Sequence, residues 1–331
     1  MTKQQTYKLV AFLFGWGLLV IFLWQVDFSL VAKNLAEVGP AFAWIFVITG
    51  AAYMMAAAAW YLSFKELPKQ LSITKLFVYR QIGETLTTVN PANIIVGETA
   101  KLYLLKQDGV DGKEGLASIL LSRILVMLSM VALFLLIPFG LLQTGIGSTS
   151  ILLPVMGLTV LISSFFYFLV SPKLWLCKAI SFIYKRLKFS FIEKLVPKIK
   201  ELNILLATYY QQQKGRLLLA FLLSLLHWIM GAIEIYFLLF LLDMKCTLFA
   251  AILIEVGVTC IKSLGAFIPG QIGVEEYGNK LMLELLNIGN AGLWVTISVL
   301  RRTRQAVWLV IGGLLFLVVY RKFKQEQPKL A

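Results

Sequence analysis

Long apolar runs alternate with short polar segments along this chain, and the lengths of the runs predict its architecture. A helix crossing the ~30 Å hydrocarbon core of a bilayer needs about 20 mainly apolar residues. Six segments meet that length, at roughly 8–26, 41–63, 115–137, 151–170, 216–242 and 291–320. Two more, about 72–106 and 248–288, are apolar enough to enter a membrane but are broken near their centres by Pro91 and by Pro269-Gly270. The arm after each break has about a dozen residues, or about 18 Å of helix, which is too short to cross. These two stretches therefore read as re-entrant hairpins, tolerated at membrane depth only where protein or a water-filled cavity covers the broken backbone. The expected fold is an all-α polytopic membrane protein with six spanning helices and two hairpins, forming one membrane domain over 1–331.

Charge orders these elements across the membrane. The stretch 171–216 holds ten Lys/Arg against Glu193 and Glu201, and the tail after Tyr320 and the Lys65–Arg80 segment are also basic, whereas 27–40 and 138–150 carry almost no positive charge. Lys/Arg-rich loops stay cytoplasmic. Only two returning hairpins satisfy every assignment, with both termini in the cytoplasm. The order is then span, span, hairpin, span (8–137), followed by the same order in the opposite orientation (151–320). That is an inverted-topology repeat whose hairpins enter from opposite faces. An ungapped comparison agrees: Pro91–Leu105 lies over Pro269–Leu283, pairing Pro91 with Pro269, Glu98 with Glu276 and Leu105 with Leu283. The same offset of 178 pairs Arg123 with Arg301 and Glu84 with Lys262. The segment 171–214 is then a basic cytoplasmic insertion, read as amphipathic helices along the headgroups.

Composition narrows the function classes. A chain of 331 residues with mean hydropathy +0.82, 59% hydrophobic and only 15% charged residues belongs with helical membrane proteins. The net charge of +14 sits between the apolar runs, so it reads as the positive-inside signal and not as a nucleic-acid surface. Cys177, Cys246 and Cys260 are widely spaced and imply neither disulfide nor metal site. Lys3 and Lys8 precede an apolar run with no small-residue cleavage site after Trp24, so the first helix is expected to be retained. No nucleotide loop, nucleophile elbow or zinc spacing is present, so no enzymatic activity and no cofactor are expected.

Ionisable groups inside a membrane cost about 2.5 kcal/mol or more, so they face a cavity or one another. Arg80 and Glu84 are four apart and read as a local pair. Lys101 and Lys280 read as snorkelling anchors or as substrate contacts. His227, the sole histidine, reads as a packing residue with a proton relay as the functional alternative, and Glu234 and Glu255 as a pair with each other or with Lys262. The strongest group is the two hairpin tips with the helices that follow. Pro91 and Pro269 break the helices, while Gly97, Gly270 and Gly273 permit a turn or a close backbone approach. Glu98 and Glu276 are expected in the first turn of the resuming helices, whose positive ends suit a phosphate. The bland reading of both glutamates is N-terminal helix stabilisation. Arg301, Arg302 and Arg304 lie too deep in a span for all three to snorkel, and are expected to line a wet cavity, attract an anionic headgroup or neutralise Glu275 and Glu276.

At these motifs the chain resembles the lysylphosphatidylglycerol synthase transmembrane-region family, flippase-like integral membrane proteins. The resemblance rests on Asn90-Pro91, Gly97-Glu98 and Lys101, on Pro269-Gly270-Gln271-Ile272-Gly273-Val274-Glu275-Glu276, and on Arg301-Arg302 with Arg304. Gln271 departs from the family's usual second glycine and Lys101 from its common arginine. The resemblance implies the translocating part of such a protein without the soluble synthetase domain, in a bacterial or archaeal plasma membrane. A lipid or lipid-linked-glycan transporter is the leading expectation. Arg301, Arg302 and Arg123 would contact phosphate, while Glu98 and Glu276 would gate by protonation or hold a cationic headgroup. Its partners are phosphate-bearing membrane lipids and no nucleic acid, with a lipid-modifying enzyme or a second copy of the chain as further partners. The alternative is a non-catalytic scaffold recruiting such an enzyme through 171–214.

Overall fold

The computed structural model describes residues 38–89, 94–135, 213–264, 271, 273–289 and 292–326, with positions 36, 157 and 160 besides. Every regular element among them is helical. A 3-10 turn at Gly39–Phe42, with Pro40 in its first positions, leads into α1 (Ala43–Leu62). There follow α2 (Ile73–Val89), α3 (Ile94–Gln107), α4 (Gly112–Phe134), α5 (Lys214–Leu241), α6 (Leu248–Leu264), α7 (Val274–Leu285) and α8 (Leu293–Glu326). Four of these are long and apolar enough to cross a bilayer: α1 with its leading turn (Gly39–Leu62), α4, α5, and α8 over Leu293–Lys322. They match four of the six expected spans. The other two, 8–26 and 151–170, lie outside the described residues apart from positions 157 and 160, as does the basic insertion apart from its last two residues, Gln213 and Lys214.

The two broken stretches form helix pairs of the expected lengths. α2 and α3 have 17 and 14 residues, α6 and α7 have 17 and 12, and within each pair the helices pack on each other. The tips holding Pro91, Pro269 and Gly270 lie outside the described residues.

The endings of α3 and α7 follow from turn chemistry. Gly109 (φ +78°) follows α3, and the N–H groups of Gly109 and Val110 return to the carbonyls of Lys106 and Leu105. Asn287 (φ +52°) follows α7, and the N–H groups of Asn287 and Ile288 return to Glu284 and Leu283. Both are left-handed caps that satisfy the last carbonyls of a helix, made by the two residue types that tolerate that conformation best. Gly109 and Asn287 are 178 residues apart, the offset that lays Pro91 over Pro269 in the sequence. α5 ends in the same way at Asp243 (φ +54°). At the start of α4, the Asp111 carboxylate accepts from the N–H groups of Lys113 (2.9 Å) and Glu114 (3.2 Å).

The helices enclose two main apolar clusters. One packs α6 and α7 against α5, α8 and the end of α4, around Ile235, Leu239, Ile254, Val258 and Ile297. The other joins α1, α2, α3 and α4 around Trp60, Leu76, Tyr79, Ile82 and Leu105. α1 packs on α5, and α8 crosses α2 at Gly312, where an added Cβ would run into the Thr85 side chain. The outward faces remain apolar, with Trp44, Val47, Leu218, Phe240, Leu314 and Val318 all exposed. In water such faces are unstable, and against acyl chains they are the expected surface.

Candidate functional site

The first charged network forms where α2 and α3 meet most closely. A Cβ on Gly97 would sit inside the van der Waals envelope of the Gly83 carbonyl, and one on Gly83 would meet the Gly97 carbonyl at 3.0 Å. Only glycines allow this approach, and it sets Glu84 against α3. Lys101 donates to Glu84 (2.9 Å) and Glu98 (3.2 Å), while Arg123 of α4 donates to Glu98 (2.6 Å) and Glu84 (3.0 Å). Lys101 is buried, so it neither snorkels nor faces the cavity as a free cation. The expected Arg80–Glu84 pair is absent, because Glu84 is taken up by Lys101 and Arg123. Glu98 lies one turn further into its helix than expected, since α3 begins its described span at Ile94 and has no acidic residue in its first turn.

The second network joins α5, α6, α7 and α8. Arg301 lies between Glu255 (3.0 Å), Glu275 (3.3 Å) and Glu234 (3.9 Å), and Arg304 holds Glu234 at 2.9 Å. Glu234 and Glu255 thus pair with arginines of α8, not with each other or with Lys262. Lys262 instead donates to Glu275 (2.9 Å), to which Gln305 also donates at 2.8 Å. Arg302 holds Glu276 through two nitrogens at 2.7 and 3.1 Å and reaches the Gln271 carbonyl. Asn279 donates to Ser298 (2.9 Å). Gly273 starts α7 with φ +81°, and its N–H donates to Glu276 at 2.8 Å. The carboxylate therefore occupies the helix end that was expected to receive a phosphate, and the stabilising reading of Glu276 holds in this structure. Lys280 is half-exposed beside Glu284 (3.9 Å).

Each network balances its charge. The first has Glu84 and Glu98 against Lys101 and Arg123, and the second has Glu234, Glu255, Glu275 and Glu276 against Lys262, Arg301, Arg302 and Arg304. A buried ion needs a partner of opposite sign, and here the numbers match at two to two and four to four.

A cavity of about 370 Å³ separates them. α2 contributes Arg80, Gln81, Glu84, Thr85, Thr87 and Thr88, and the opposite wall includes Lys262, Glu275, Arg304 and Gln305. Tyr53, His227, Trp228 and Trp308 form the aromatic side. The His227 ring nitrogen Nδ1 is 2.9 Å from the Ala52 carbonyl, and Trp308 donates to Thr49 (2.9 Å). Of the three arginines expected to line a wet space, only Arg304 does so. Arg301 and Arg302 meet Glu275 and Glu276, as the neutralising alternative anticipated, and Arg123 is engaged with Glu84 and Glu98.

The family described as the lysylphosphatidylglycerol synthase TM region matches residues 8–319. The chain belongs to this family. The match and the four long apolar helices make it a multi-pass membrane protein of a lipid-related family. No curated protein and no solved structure matches the chain. Within this family member, the sequence motifs Gly97-Glu98-Lys101, Gly273-Glu276 and Arg301-Arg302-Arg304 fall on the two networks around the cavity. The sequence ranked Glu275 below Glu276, yet Glu275 is the buried one, at 1% exposure. A signal was present: Glu275, Gly278, Asn279 and Met282 lie three to four residues apart, on the face of α7 that the fold buries.

Proposed function

We propose that this protein moves a lipid or lipid-linked glycan across the membrane, with the polar headgroup passing through the central cavity while the apolar tail stays in the bilayer. The carrying observation is that cavity, a space of about 370 Å³ that charged, hydroxyl and aromatic side chains line, with α2 on one side and α6 and α7 on the other, flanked by two electroneutral networks. In this reading α2–α3 and α6–α7 are re-entrant hairpins of an inverted repeat and act as alternating gates, with both termini cytoplasmic. The matched caps at Gly109 and Asn287 support the repeat. Each hairpin is latched to the following span by a carboxylate, through Glu98–Arg123 and Glu276–Arg302. Protonation of either glutamate would release its arginine and loosen that latch. Binding phosphate-bearing lipids is part of the same proposal.

The test is transfer of a fluorescent phospholipid in liposomes holding the purified protein, with Glu276→Gln and Arg301→Ala as variants. Wild type is expected to exceed empty vesicles and both variants to change the rate. Equal transfer in all three and in empty vesicles removes the reading.

A further inference from the structure

Arg80 is the cation that the two networks leave over. Its guanidinium lies 5.0 Å over the Tyr53 ring and donates to the Gln81 side chain at 3.2 Å, and among the described residues no carboxylate oxygen lies within 4.0 Å of it. The other cations on the cavity wall, Lys262 and Arg304, are held by Glu275 and Glu234 at 2.9 Å each. With both networks neutral, Arg80 leaves the cavity one positive charge in excess among the described residues. Inside a membrane that charge is costly until an anion meets it.

We propose that Arg80 anchors the headgroup, and that the lipid taken by the cavity has a phosphate with a net negative charge and a neutral, hydroxyl-bearing remainder; this rests on the transport reading above. A guanidinium suits a phosphate because its planar fork can donate two parallel bonds to it. The rest of the wall fits an uncharged polar group. Thr85 offers its hydroxyl and Gln81 its amide nitrogen, the Gln81 oxygen being held by Arg80 and both ends of the Gln305 amide by Glu275 and Arg302. Tyr53 and Trp308 pack edge to face at 5.0 Å, and the Trp308 N–H is already bound to Thr49, so the indole contributes its ring to the cavity. A volume of about 370 Å³ lies within the range of roughly 300–1,000 Å³ typical of small-ligand sites. Among the described residues, a cationic headgroup meets no carboxylate on the cavity wall that lacks an ion pair. The cavity carboxylates Glu84 and Glu275 are each held by two cations, and Glu98 and Glu276, expected from sequence to hold such a group, are bound to Arg123 and Arg302.

The test measures binding of four defined lipids to the purified full chain in detergent: phosphatidylglycerol, phosphatidylcholine, lysyl-phosphatidylglycerol and diacylglycerol. Glycerol 3-phosphate serves as the tail-free probe. Phosphatidylglycerol is expected to bind about tenfold tighter than the other three lipids, and Arg80→Gln to weaken it by about tenfold and erase the ranking, the scale of one charge-assisted contact. Equal binding of phosphatidylcholine, preference for the lysyl lipid, or an unchanged Arg80→Gln protein overturns the proposal. Glycerol 3-phosphate binding as tightly as the lipid also overturns it, by assigning the site to a soluble phosphate. If Arg80→Gln fails to fold, the wild-type ranking alone decides. Lipid transfer measured in parallel separates the two readings. The predicted ranking without transfer upholds the site and removes transport, whereas transfer that ignores both headgroup and Arg80 removes the site and leaves transport standing.

Discussion

Replacing Arg301 by methionine keeps most of the side-chain volume and removes the cation on which three buried carboxylates converge. The contacts to Glu255, Glu275 and Glu234 are 3.0, 3.3 and 3.9 Å, and Arg301 is 4% exposed. Arg304 still holds Glu234 and Lys262 still holds Glu275, but Glu255 has no other ion pair among the described residues. The network goes from four against four to four acids against three bases. Removing one partner of a buried ion pair costs about 3–5 kcal/mol because the survivor stays desolvated, and that is the expected loss for Arg301→Met. Adding Glu255→Gln restores three against three and removes the stranded charge. The double variant should therefore be more stable than the sum of the two single effects by about 1–3 kcal/mol. Reversible unfolding of the purified protein in bicelles, with the four members of the cycle compared, measures this directly. A loss below about 1 kcal/mol for Arg301→Met would refute the buried-network argument. So would strict additivity in the cycle, since residues sharing an ion pair must couple.

Three further outcomes follow from local geometry. Gly97→Ala should lower thermal stability in detergent by about 1–3 kcal/mol or more, because its Cβ would meet the Gly83 backbone, which has no rotamer to give. Gly313→Ala, in α8 with nothing within 4 Å of the added Cβ, should be neutral or stabilising by up to about 1 kcal/mol, and a loss there would contradict the packing described. Asp111, at the polar start of α4, has its carboxyl held below the ordinary value by the N–H groups of Glu114 and Lys113. A depressed folded value stabilises above the unfolded pKa of about 3.9 and loses that effect as pH falls through the folded value. The difference in melting temperature between wild type and Asp111→Ala should thus be constant from neutral pH to about 4 and shrink below it.

Much of the scaffold was legible before any tertiary contact was known. The spans at Gly39–Leu62, Gly112–Phe134, Lys214–Leu241 and Leu293–Lys322 fall within a few residues of the apolar runs, because the solvent is hydrocarbon and run length alone decides whether a helix can cross. The short arms after the breaks were also legible from length. The left-handed caps at Gly109 and Asn287 rest on residue types that favour that conformation, because such a cap depends on a few adjacent residues. Arg301 and Arg302 do meet Glu275 and Glu276, as the neutralising alternative had it, while other charges found partners that the sequence did not indicate. Arg80 was matched with Glu84 on its own helix, four residues away, and Glu234 and Glu255 with each other or with Lys262.

By itself the sequence determined which segments are apolar, where they break, which ends are capped and which family the chain belongs to. Those properties depend on composition within one helix length. Only the tertiary structure decided that Glu84 serves Lys101 and Arg123, that Glu255 serves Arg301 from 46 residues away, and that Arg80 is left facing the cavity. A charged side chain's partner is set by how helices rotate and how closely they approach. At Gly83 and Gly97 that approach is set by the absence of two side chains. A salt-bridge partner can therefore sit anywhere along the chain, while the hydropathy that carries the helix into the membrane stays local.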